Sequence, residues 1–217
     1  MKETLFTLND AIDLVVAGIK SGNLPGPCAW GNVVDRKFPG RSQSMILYSA
    51  MISTLARGAI DQCNGDVIEI GTDYGLGAFA LSYGIRRHPA NKVITFDIQE
   101  KIVQSTKKRA ETLGASNIVF VHGTSDDIGK YGEGFSFAYI DGGHKFEDCF
   151  ADLKNLAPRM HVNGLILCHD LFFIERPGLN GVRKAIMEFV KQNPNWVATR
   201  VGGFGLLGMN ISVERVK

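Results

Sequence analysis

From Asp66 onward, short β-branched runs alternate with segments whose apolar residues recur at helical spacing, the pattern of successive βαβ units. The predicted strands are Asp66 to Gly71, Lys92 to Ile98, Asn117 to Gly123, Phe135 to Asp141 and Gly164 to Asp170. They are apolar enough to be covered on both faces, so they read as parallel neighbours in one sheet. Between the second and third, Val103, Thr106, Ala110 and Leu113 share one helical face, Lys101, Lys107, Lys108 and Glu111 take the other, and Gly114 supplies a C-terminal stop. Phe146, Cys149, Phe150, Leu153 and Leu156 make a second stripe. Val182, Ala185, Ile186, Phe189 and Val190 make a third, closed by Pro194. Beyond it, Trp196 to Val201 and Phe204 to Ser212 flank Gly202-Gly203 as a hairpin. The fold class is therefore α/β, a doubly wound and mostly parallel sheet that ends in an antiparallel pair.

The first 65 residues follow a different pattern. A helix is predicted from about Leu8 to Lys20, headed by the capping pattern Thr7-x-x-Asp10. A loop from Gly22 to Gly40 carries Pro25, Pro27, Trp30 and Pro39, and a helix near Ser42 to Ala59 delivers the chain to the first strand. We read 1–217 as one domain, with 1–65 a helical N-terminal extension and lid and 66–217 a cofactor-binding core. A chain of 217 residues with 45% hydrophobic composition can bury roughly 70% of its unfolded surface, enough for one core without staples. Its 24 basic and 22 acidic residues are interspersed, which argues against nucleic acid as a partner. Cys28, Cys63, Cys149 and Cys168 lack CxxC spacing, which suits a reducing compartment and points to the cytoplasm. No uninterrupted apolar run of about 18 residues suggests a membrane span. The stripe Leu8, Ile12, Val15 and Ile19 can pack on its own domain or on a second subunit, so a homodimer is an open expectation.

The stretch VIEIGTDYGLG, Val67 to Gly77, is a strand that breaks into a glycine-rich turn and then a helix, the form of a nucleotide-binding loop. A dinucleotide fingerprint starting at Gly71 would need glycine where Asp73 and Leu76 stand. Carboxylates at Asp73 and Glu69 repel a pyrophosphate and favour the ammonium of a methionine moiety, so a zwitterionic sulfonium cofactor fits better. Asp97 closes the second strand, where a carboxylate can accept hydrogen bonds from both ribose hydroxyls. Gly123-Thr124-Ser125-Asp126 offers small polar groups at the end of the third. The predicted cofactor-binding set is Glu69, Gly71, Thr72, Asp73, Gly75, Asp97, Ile98, Thr124, Ser125 and Asp141. Each has a plainer reading: Glu69 a satisfied strand carboxylate, Asp97 a helix cap, Ser125 and Asp126 a capping turn.

These motifs, together with AYIDGGHKFEDCFADL and GLILCHDL, resemble the class I S-adenosylmethionine-dependent methyltransferases. Within them the similarity is to the O-methyltransferase branch of the catechol and caffeoyl-CoA enzymes and the macrocin O-methyltransferase and cephalosporin hydroxylase-like group. It covers roughly Arg41 onward. The resemblance implies a Rossmann-like seven-stranded sheet with S-adenosylmethionine as cofactor. It also implies that Glu69, Gly71 and Gly75 hold the methionine portion, Asp97 the ribose, and Thr124 and Ser125 the adenine.

Asp141 and Asp170 end the fourth and fifth strands, and if those strands are neighbours, their termini lie about 5 Å apart. Metal-dependent members of the family carry acids at these strand ends, which makes Asp141, His169 and Asp170 the candidate ligands of a divalent cation, Mg²⁺ or Mn²⁺. His169 departs from the family's acid-acid or acid-amide pair. An imidazole there shifts preference toward softer cations or removes the metal altogether, leaving His169 to orient Asp170. His144, three residues beyond Asp141, is the candidate general base, with Asp141 helping to position the substrate. Ionising a phenol at pH 7 costs about 4 kcal/mol, which a histidine and a nearby cation can supply. The leading expectation is methyl transfer to a hydroxyl of a small molecule. Its rivals are a nicotinamide oxidoreductase, a non-catalytic adenosyl-ligand subunit, and a relative that methylates nitrogen.

Overall fold

The computed structural model describes residues 42–171, 181–201 and 203–209. The predicted helix at Leu8, the Pro/Gly loop with Trp30, Arg41, Arg176 and the end of the predicted last strand lie outside the described residues. Helix α1 (Ser42–Cys63) leads into β1 (Val67–Ile70), α2 (Leu76–Gly84), β2 (Val93–Asp97), α3 (Glu100–Leu113) and β3 (Ile118–His122). A short 3-10 turn, Ser125–Lys130, precedes β4 (Phe135–Ile140), and α4 (Phe146–Leu156) leads to β5 (Met160–Cys168). Helix α5 (Gly181–Gln192) and the strands β6 (Trp196–Val201) and β7 (Phe204–Met209) complete the order. No helix among the described residues is long and apolar enough to cross a membrane.

The seven strands form one sheet in the order β3-β2-β1-β4-β5-β7-β6, with β1 to β5 parallel and β7 antiparallel to both β5 and β6. The chain moves outward from β1 through β2 to β3, then returns to set β4 on the other side of β1. That reversal opens a crevice at the carboxyl ends of β1 and β4, where open α/β sheets bind ligands.

Both faces of the sheet are covered, which explains the continuous apolar runs. On one face Ile68, Ile94, Phe96, Ala138, Ile140 and Ile166 pack with Leu153 of α4 and Phe189 of α5. On the other, Val67, Val93, Phe137 and Leu167 pack with Ile52, Ala56 and Ile60 of α1 and Leu81 of α2. Phe137 is fully buried at the middle of this second core, so truncation to alanine costs about 3–5 kcal/mol. Helices α1 and α2 cross closely, with the Ser53 hydroxyl donating to the Ala80 carbonyl at 2.5 Å.

Strand β5 begins at Met160, four residues earlier than the hydrophobic pattern indicates. Its first half carries the polar or exposed His161, Val162 and Asn163, and pairing with β4 jumps from Met160 opposite Phe135 to Leu165 opposite Phe137. This irregularity hides the strand's start, because a bulge breaks the two-residue alternation.

Candidate active site

The loop after β1 is fixed by close approach. Gly71 has φ +95°, and a Cβ there would lie 2.3 Å from the Asp141 carbonyl oxygen. Only glycine lets the ends of β1 and β4 come this near. The turn then passes through Asp73 at φ 40° and Gly75 at φ 86°, and Gly75 caps α2.

Glu69 lies beneath this loop rather than in it. Its carboxyl is 1% exposed, accepts a short hydrogen bond from the Thr95 hydroxyl and another from the Ala78 backbone N–H, and is held well above the usual carboxylate range by burial. A Cβ on Gly77 would collide with that carboxyl. Thr95 also shares a 2.6 Å hydrogen bond with the hydroxyl of Thr72, itself 2% exposed. Glu69 and Thr72 therefore brace the loop from inside. Thr95 was not singled out from the sequence. Its signal was available only through register, since Glu69 stands opposite Thr95 on one side and Tyr139 on the other.

Asp97 is half-buried at the end of β2. One carboxylate oxygen accepts from the Asp73 N–H at 3.1 Å and the other from the Gln99 N–H at 2.8 Å. It thus ties the glycine loop to the start of α3, and it remains partly open to solvent. Beside it Ile98 is 71% exposed, an apolar side chain standing uncovered at the crevice edge. Thr124 caps the 3-10 turn after β3 in a capping box with Asp127. Ser125 is buried, donates to Asp152 of α4 and accepts from Asn155 at 3.1 Å. The predicted cofactor residues therefore gather at the ends of β1, β2 and β3, with Asp73, Asp97, Ile98 and Thr124 open to the crevice and Glu69, Thr72 and Ser125 supporting them.

The ends of β4 and β5 carry a different arrangement. Asp170 follows β5 in a left-handed backbone conformation, φ 52°, and its carboxylate faces His144. His144 Nε2 lies 3.0 Å from Asp170 Oδ2. His169 Nδ1 lies 3.1 Å from both Asp141 Oδ1 and Asp170 Oδ1, and the Tyr139 hydroxyl donates to Asp141 Oδ2 at 3.0 Å. Burial alone would lower the His169 pKa, but the two carboxylates outweigh it and raise it to about 10. Burial likewise opposes ionisation of Asp170, yet hydrogen bonds from His144 and His169 hold its carboxyl well below the ordinary range. The rings of Tyr48 and Phe204 meet His169 edge-on at 5.8 and 4.9 Å, closing its apolar sides.

All four predicted reacting residues come together, with a changed geometry. Side-chain donor atoms of Asp141, His144 and Asp170 fall within 4.8 Å of one another, a spacing that suits one metal ion. The histidine in that group is His144, the expected base, whereas His169 bridges the two acids with a single nitrogen. Sequence order alone could not separate the two histidines, because each stands within three residues of an acid at a strand end.

Residues 68–171 match the family profile described as a methyltransferase domain. No curated protein sequence matches the chain. Among solved structures, the chain resembles the S-adenosylhomocysteine-bound methyltransferase PaMTH1 of Podospora anserina, with TM-score 0.63 and 17% identity over 91% of this chain and 88% of that one. Cofactor-bound Rv0187 from MTB aligns with TM-score 0.62 and 21% identity, covering 94% of this chain and 93% of its own. A candidate caffeoyl-CoA O-methyltransferase from Staphylococcus aureus aligns with TM-score 0.58 and 15% identity over 74% and 83% of the two chains. The described core thus has the seven-stranded, Rossmann-like fold of class I S-adenosylmethionine-dependent methyltransferases, and the stretch that carries its glycine loop and the Asp141 and Asp170 carboxylates is the one that matches a methyltransferase domain.

Proposed function

We propose that this protein transfers a methyl group from S-adenosylmethionine to a hydroxyl oxygen of a small molecule. The observation that carries the reading is the juxtaposition, across the β1–β4 crevice, of an acid-bearing glycine loop and a pair of acid-held imidazoles. Asp73, Gly71 and Gly75 would receive the methionine portion, Asp97 the ribose hydroxyls, and Ile98 and Thr124 the adenine. Glu69 and Thr72 act on the cofactor through the loop they support. The likeness to a candidate caffeoyl-CoA O-methyltransferase favours oxygen as the acceptor atom.

His144, oriented by Asp170, takes the proton of the acceptor hydroxyl. S-adenosylmethionine, when bound, would supply its sulfonium methyl to that oxygen, the S–C bond breaking with its electron pair left on sulfur as the O–C bond forms. Asp141, fixed by Tyr139 and His169, orients the acceptor. The remaining leverage is proximity and electrostatics.

A second reading rests on the convergence of Asp141, His144 and Asp170. Two carboxylates and one imidazole fit a divalent cation such as Mn²⁺ or Mg²⁺, and these three residues would hold it. Bound there, it would supply Lewis acidity toward the acceptor oxygen.

Calorimetry with S-adenosylhomocysteine and with NADH tests the cofactor. Heat from the first and none from the second is expected, and the reverse would overturn the proposal. Turnover on a panel of hydroxylated acceptors, with chelator and then with Mn²⁺, separates the two forms of the site. Activity that survives chelation supports the histidine base alone.

A further inference from the structure

We propose that Gly181, the first residue of α5, is a positioning residue for His144: by carrying no side chain it lets the helix seat against the backbone of the His144 turn, and so sets the reach of that imidazole to Asp170. The inference rests on the proposed role of His144 at the reacting end and deepens it.

A position demands glycine either for a left-handed backbone or for lack of room. Gly181 is not among the residues with positive φ, so room decides. A Cβ on it would lie 2.2 Å from the His144 carbonyl oxygen, 2.6 Å from the Phe146 nitrogen and 2.7 Å from the Lys145 carbonyl carbon. All three are backbone atoms, which cannot swing aside as the tip of a side chain can. Ordinary contact begins near 3.4 Å, so an added methyl group forces one partner to move by roughly 1 Å.

The helix is the partner that stays. Val182, Ala185, Ile186 and Phe189 hold α5 in the core, and Ile186 Cδ1 sits 2.5 Å from where a Cβ of Gly205 on β7 would be, so the helix is seated by a second glycine contact. The turn opposite has more freedom, because Gly142 and Gly143 lead into His144. Displacement therefore passes to His144, whose Nε2 lies 3.0 Å from Asp170 Oδ2. Asp170 does not follow it, being carried by β5 and tied down by the next residue, Leu171, whose N–H donates to the Gly203 carbonyl at 2.8 Å. A shift of about 1 Å takes the pair out of hydrogen-bond range, and such a misplacement of a reacting group costs on the order of 10²-fold in rate.

The test is a double-mutant cycle on wild type, Gly181→Ala, His144→Ala and the double variant, with the hydroxylated acceptor that turns over best. Gly181→Ala should lower kcat about tenfold to a hundredfold while KM for S-adenosylmethionine stays within about threefold. On the His144→Ala background the same change should cost less than about twofold, because the group it displaces is gone. Gly58→Ala, at a helix position where an added Cβ meets nothing within 4 Å, should leave kcat within about twofold of wild type. The side-chain ¹⁵N spectrum supplies a readout that needs no acceptor: the His144 resonances, identified by their loss in His144→Ala, should move in Gly181→Ala while those of His88 and His161 stay. Unmoved His144 resonances, or an equal loss of kcat in both backgrounds, overturn this inference and leave His144 in its role. Turnover undiminished in His144→Ala overturns that role and this inference with it. Should Gly181→Ala not fold, Val182→Ala loosens the same helix start from the core, and the same cycle and spectrum decide by the same outcomes.

Discussion

At the ends of β1 and β2 the acids are held by uncharged donors, and at the ends of β4 and β5 they are held by imidazoles. Glu69 takes a hydroxyl and a backbone N–H and is pushed toward its neutral form. Asp97 takes two backbone N–H groups. Asp141 and Asp170, by contrast, face His169 and His144 across 3.0 to 3.1 Å and are part of a charged network. One region is held by donors that carry no charge of their own. The other sets an imidazole beside an acid, the pairing that the proposed proton transfer would use.

Removing Asp170 should break the comparison most sharply. Asp170→Ala deprives both imidazoles of an acid, and turnover with an accepted hydroxyl substrate should fall about 10²- to 10⁴-fold. Affinity for S-adenosylhomocysteine should stay within about threefold. An equal loss in both, seen by steady-state kinetics and calorimetry, would mean that the two regions are one unit. Gly71→Ala attacks the seam between them, forcing a Cβ toward the Asp141 carbonyl at a positive φ, and should destabilise the protein by about 3 kcal/mol or more in urea unfolding.

The pH dependence of stability has a definite sign in the reacting region. His169 is raised from 6.5 to about 10, so its contribution is complete below about pH 6.5 and is lost as pH climbs through 10. Urea midpoints measured from pH 6 to pH 10 should fall by the equivalent of about 2–3 kcal/mol, after allowance for the ring's partial exposure. His169→Gln should flatten that slope. The smallest effect is expected in the other region. Glu69→Gln, which replaces a carboxyl already driven toward neutrality, should cost about 1 kcal/mol or less, and a larger loss of cofactor affinity than of stability would show that the charge of Glu69 matters.

The strands could be read from the sequence because burial on both faces leaves Val, Ile, Phe, Ala and Tyr at most positions of β1, β2 and β4. The glycine loop was equally readable, since close backbone approach leaves a glycine no substitute. Thr95 and Tyr139 stayed hidden for one physical reason. Their meaning lies in which residue stands beside them on the next strand, and register between strands separated by a helix is written nowhere along the chain. Ser125 illustrates a subtler limit. The sequence showed a small polar residue at the right strand end, but only the fold turns its hydroxyl inward to Asp152 on a helix two elements later.

Strand β7 lies between β5 and β6, so the chain passes out to the edge strand β6 before it turns back to pair with β5. Phe204, its first residue, backs the ring of His169, and the Gly203 carbonyl receives the Leu171 N–H directly after Asp170. During synthesis, both sides of the crevice that would greet the methyl donor, β1 and β4, have been made by Asp141. The chamber where the methyl group would depart gains its rear wall only when the ribosome has released another sixty-odd residues.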